Sequence, residues 1–107
     1  MAITEIQEYE VMYSANQFVP RIWLKNGGKY FGQLIFMPDG RALPQDATSG
    51  GQANVYYHLE DLQNCLNLLQ NEKPMYLLFN GPNNENGIKT TAEPVGEGEP
   101  QPIKAPR

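Results

Sequence analysis

Leucines at positions 59, 62, 66 and 69 recur at offsets of three, seven and ten, which places them along one side of a helix. Cys65 and Leu68 lie beside that stripe. The segment Asn54-Val-Tyr-Tyr-His58 before it and Met75-Tyr-Leu-Leu-Phe79 after it both read as strands, with almost no residues to spare between the three elements. The helix is expected from about Glu60 to Asn71: Glu60 and Asp61 suit the positive N-terminal end, and Lys73-Pro74 stops it with a cation near the other end. That compactness argues for one small core. The chain is therefore expected to be a small α+β domain, with 75–79 as a central strand covered by the helix on one face.

Upstream, Arg21-Ile-Trp-Leu-Lys25 and Tyr30-Phe-Gly-Gln-Leu-Ile-Phe36 flank Asn26-Gly27-Gly28, residues that tolerate positive φ, so the segment reads as a hairpin. Pro20 and Pro38-Asp39-Gly40 mark its limits. Tyr9–Tyr13 has enough β-forming character for a first strand, whereas residues 1–8 read as a flexible lead-in. Residues 40–52 are rich in Gly, Pro, Asp, Ser and Thr and are expected to be a mobile loop. Asn80–Gly87 reads as a turn, and Ile88–Thr91 as an antiparallel edge strand. Residues 93–107 hold four prolines and three glutamates with only Val95 and Ile103 as sizeable aliphatic groups, so they bury too little to offset their ordering entropy.

The organisation expected is thus a lead-in over 1–8, one domain over 9–92 and a disordered Pro/Glu-rich tail over 93–107. Its fold class is α+β: a small antiparallel sheet of about five strands with one helix packed on one face. In layout alone, the element order resembles the sheet-plus-helix modules of Whirly-type single-stranded-DNA-binding proteins, and no residue motif carries that likeness further.

A net charge of −4 over 107 residues argues against a broad basic face for non-specific nucleic-acid binding. The acids Glu5, Glu8, Glu10, Glu85, Glu93, Glu97 and Glu99 lie towards the ends, however, while 21–41 carries Arg21, Lys25, Lys29 and Arg41 against Asp39 alone. Lysines of this kind also guard exposed strand edges. The single Cys65 has no intramolecular disulfide partner, and no Cys/His spacing suggests zinc. The acidic N-terminus lacks the features of a secretory signal, and no apolar run approaches the roughly 20 residues that cross a bilayer. A cytoplasmic protein that does not engage membranes is expected.

Catalytic chemistry finds little footing. His58 and Cys65 are seven positions apart, about two helical turns, with no group to orient the imidazole. Glu60 and Asp61 point about 100° apart on a helix, and Asn26-Gly27-Gly28 lacks the following helix of a phosphate-binding loop. No catalytic, cofactor or metal residue is assigned, and a non-enzymatic protein is expected.

The aromatic groups of the hairpin are more informative. Simple alternation sets Trp23 and Lys25 opposite Ile22 and Leu24, and sets Phe31, Gln33 and Ile35 opposite Tyr30, Gly32, Leu34 and Phe36. Both faces hold large apolar groups, so the Trp23/Phe31/Ile35 face either packs internally or meets a partner. The functional expectation is a binding or adaptor module acting through protein contacts or homo-oligomerisation, with Trp23, Phe31, Arg21, Lys25, Lys29, Tyr30 and Arg41 as candidate contact residues. The alternative is single-stranded nucleic-acid binding, with Trp23, Tyr30 and Phe31 stacking on bases while Arg21, Lys25, Lys29 and Arg41 follow phosphates.

Overall fold

The computed structural model describes residues 2–92 and 95. Its elements are β1 (Ala2–Ile6), β2 (Glu8–Met12), β3 (Arg21–Asn26), β4 (Lys29–Met37), β5 (Ala47–Ser49), β6 (Gln52–His58), a short 3₁₀ turn (Leu59–Asp61), α1 (Leu62–Asn71), β7 (Met75–Phe79) and β8 (Gly87–Thr90). They form a mixed α+β fold with one helix and two sheets, of three strands in the order β1-β7-β8 and of five in the order β2-β3-β4-β6-β5. Among the described residues no helix is long and apolar enough to cross a membrane.

The helix and the β3–β4 hairpin lie where the sequence places them, and β7 is the middle strand of the smaller sheet. Three expectations are corrected. The supposed lead-in over 1–8 contains β1, paired antiparallel with β7 from Ala2 opposite Phe79 to Ile6 opposite Met75. Of its residues only Ile6 is buried, so the strand owes its existence to its apolar partner more than to its own pattern. The sheet architecture is not one antiparallel sheet: a second sheet is present, and β4 pairs in parallel with β6, Gly32–Met37 alongside Ala53–His58. A parallel pair needs a long crossover. The stretch expected to be a mobile loop supplies it, and includes the edge strand β5.

That crossover is held by its acids. Asp39 Oδ1 accepts the Glu60 backbone N–H at 2.8 Å, and Asp46 Oδ1 accepts the Tyr56 N–H at 2.9 Å while Asn86 Nδ2 donates to Oδ2 at 2.9 Å. His58 Nε2 makes a 2.7 Å hydrogen bond with the Arg41 carbonyl. The expected tail over 93–107 lies outside the described residues except for Val95, which is exposed.

The chain passes between sheets at Gln7. Its N–H donates to the Lys25 carbonyl at 2.9 Å, its Oε1 accepts the Gly27 N–H at 2.6 Å, and Asn26 Nδ2 donates to the Glu5 carbonyl at 2.9 Å. The hairpin turn is thereby clamped to the corner where β1 becomes β2. The core lies between the sheets: Ile22, Leu24, Leu34, Phe36 and Val55 of the larger sheet are fully buried against Ile6, Met75 and Leu77 of the smaller. Cys65 joins them from α1, and Leu59, Leu62, Leu66 and Leu69 pack against the same cluster while staying partly exposed. Gly32 leaves no room for a side chain: a Cβ there would stand 3.3 Å from Leu77 of the smaller sheet and 3.0 Å from the carbonyl of Ala53 in the neighbouring strand β6. The other face of the five-stranded sheet is left without this cover, and it carries the candidate site.

Candidate interaction surface

Strand alternation turns Ile22 and Leu24 into the core and so turns Arg21, Trp23 and Lys25 outward. The return strand does not follow the simple alternation. Leu24 pairs with Gly32 but Lys25 pairs with Tyr30, a β-bulge whose extra residue is Phe31. One added residue inverts every side chain beyond it. Tyr30 therefore joins Trp23 on the open face, while Phe31, expected beside Trp23, packs against the core.

On this face the Trp23 and Tyr30 rings meet edge to face, with centroids 6.3 Å apart and planes at 61°. The Arg21 guanidinium carbon lies 5.4 Å from the Trp23 ring centre, and Lys25 Nζ lies 5.0 Å from that of Tyr30. Lys25 also reaches two carboxylates of β2, Glu8 Oε1 at 3.7 Å and Glu10 Oε2 at 3.9 Å. The Tyr30 hydroxyl is pushed above its ordinary pKa, first by its hydrogen bond to Glu10, then by burial and by the charges of Glu10 and Glu8. Further along the sheet Gln33 Nε2 donates to Asn54 Oδ1 at 3.0 Å, and Ile35 is buried in the row that holds Arg21 and Tyr56.

Of the seven candidate residues, the structure gathers Arg21, Trp23, Lys25 and Tyr30. Phe31 goes to the core, Lys29 sits at the exposed hairpin end, and Arg41 lies on the crossover beyond the end of β4. Two cations and two carboxylates thus share the face. Arg21 Nε is buried without a hydrogen-bond partner, the only such side-chain atom among the described residues.

None of the seven candidate residues lies on the adjoining edge. Strand β2 pairs with β3 alone, leaving its other side open; its Val11 and Met12 are 43% and 42% exposed, and Tyr13 and Phe18 in the connection to β3 are 69% and 59% exposed. The signal was present as an apolar run, Val11-Met12-Tyr13, too short to distinguish a core strand from a contact strand.

The remaining chemistry is structural. His58 follows Tyr57 on β6 and so points to the opposite face, whereas Cys65 is a core residue beside Tyr57, so the sheet separates histidine from thiol. Burial, then the Asp61 charge, pushes the Cys65 thiol up to about 11, leaving it protonated and unreactive at neutral pH. Gly27 and Gly28, at φ +62° and +80°, form the hairpin turn, and the Gly27 N–H is already taken by Gln7. No group of His, Cys, Asp or Glu among the described residues is arranged to hold a metal ion. A cleft of about 520 Å³ at the C-terminal end of α1, lined by Ile6, Tyr9, Leu69 and Lys73 among others, brings no histidine or cysteine together. No protein-family model matches the chain, and no curated protein or solved structure matches it either.

Proposed function

We propose that this chain is a non-enzymatic binding module that docks another polypeptide on the open face of its larger sheet and along the free edge of β2. The observation that carries the proposal is the joining of two features. An Arg21/Trp23/Lys25/Tyr30 cluster lies on the face, and the free edge of β2, with exposed Val11 and Met12 and with Tyr13 just past its end, borders it. Tryptophan, tyrosine and arginine are the side chains that most often anchor protein interfaces, and a free edge offers main-chain hydrogen bonds to an added strand.

Charge balance favours a protein over a nucleic acid as the partner. Phosphates following this face would compete with Glu8 and Glu10 for Lys25, and Arg41 lies away from the cluster. The test is a photo-crosslinking side chain placed at Tyr30 or Met12, with Asn67 on the exposed side of α1 as the control. Protein adducts from the first two positions and not the third are expected. Adducts to nucleic acid instead, or none from either position, would overturn the proposal.

A further inference from the structure

Resting on that docking function, we infer that the occupant of the β2 edge is a second copy of this chain. The two copies pair antiparallel about a two-fold axis at Val11 and join two five-stranded sheets into one. A two-fold interface must be complementary to itself, and β2 with its neighbour β3 meets that condition in one register. Centring the pair on Tyr9 sets Glu8 against Glu10 of the other copy, and centring it on Glu10 sets Glu10 against Glu10; both place like charges directly opposite. Centring it on Val11 removes every such clash: Val11 meets Val11, Tyr9 meets Tyr13, and Glu10 meets Met12.

That register also provides what the lone chain lacks. Met12 lies between Arg21 of its own β3 and Glu10 of the added strand. Strands two apart are separated by about 10 Å, a gap that an extended arginine and glutamate span together. Glu10 of one copy thus comes within reach of Arg21 of the other, whose Nε is buried without an acceptor. Centring on Met12 would move Glu10 opposite Ser14 and lose this pairing. Exposed Val11 and Tyr13 from both copies are covered at the axis, and the two Trp23 clusters fall on the same side of the joined sheet.

Sedimentation of the full chain across a wide concentration range tests the inference. A reversible dimer is expected, and Val11→Lys, which sets two ammonium groups on the axis, abolishes it. Glu10→Arg and Arg21→Glu each raise the dissociation constant about tenfold, and the double exchange returns it to within about threefold. Because Cys65 is buried, Val11→Cys introduces the sole accessible thiol among the described residues, and it crosslinks the pair on oxidation while Glu8→Cys does not. A chain that stays monomeric at every concentration, or charge exchanges that add without rescue, would overturn self-pairing. If Tyr30 still yields adducts to other proteins from a monomeric chain, self-pairing fails and the docking function stands; without any adduct both fall.

Discussion

Gly32 shows how a single residue can be held to a hydrogen side chain, between the backbone of the neighbouring strand β6 and Leu77 of the other sheet. The Cβ of an alanine would meet the Ala53 carbonyl at 3.0 Å, and that oxygen belongs to the β4–β6 ladder and cannot turn aside as a side-chain end does. Gly32→Ala is expected to destabilise by about 1–3 kcal/mol, read as a lower denaturation midpoint. Two other residues in the interior fix the alkaline limit. Burial pushes Cys65 up from its ordinary 9.0 to about 11 and Tyr57 from 10.0 to about 12. Both are neutral in the fold and ionise more readily once unfolded, so their contribution is complete below about pH 9 and is lost as pH rises towards 12. Denaturation midpoints across that range should hold and then fall. Tyr57→Phe should remove the tyrosine's share of the loss, which sets in near its ordinary pKa of 10, and leave that of Cys65.

At the scale of elements, the bulge opposite Leu24 and Lys25 separates two neighbouring aromatic residues into different roles. Phe31→Ala should cost about 1–2 kcal/mol of stability, less than a fully buried phenylalanine because the ring is partly exposed, with little effect on docking. Tyr30→Ala should leave stability within about 0.5 kcal/mol and weaken docking, since its ring is 41% exposed beside Trp23. Thermal melts alongside the crosslinking yield at Met12 separate the two effects, and a reversed pattern would place Tyr30 in the core. This inversion also explains where sequence reading failed. The leucine stripe, the hairpin and its glycine turn were legible because each rests on local periodicity or backbone chemistry. An extra residue in a ladder leaves no mark in a two-residue alternation that has apolar groups on both faces. Strand β1 and the parallel β4–β6 pair were illegible for a related reason: Ala2–Ile6 gains its order from β7, some seventy positions away, and the crossover depends on Asp39 and Asp46 finding backbone N–H groups after folding.

For the whole molecule, composition indicated the sign of the field more clearly than its distribution. The net charge of −4 was legible, and so was the local excess of cations over 21–41. The neutralisation of that excess was not, because Glu8 and Glu10 reach Lys25 only through the pairing of β2 with β3. Salt dependence therefore discriminates between the two binding modes. A nucleic acid held by Arg21 and Lys25 would release counterions, and its affinity would fall steeply as salt rises. Two copies of an acidic chain repel one another at long range, and salt screens that repulsion while also screening the short Glu10–Arg21 pairing, so the two effects oppose. Self-association measured from low to moderate salt should change by less than about threefold, against a loss of about tenfold or more for phosphate contacts over the same range. A dimer that dissociates steeply with salt would mean that the charge pair, and not the apolar Val11–Tyr13 strip, supplies most of the adhesion. Oligonucleotide retention that vanishes with salt while the chain remains monomeric would assign the open face to nucleic acid after all.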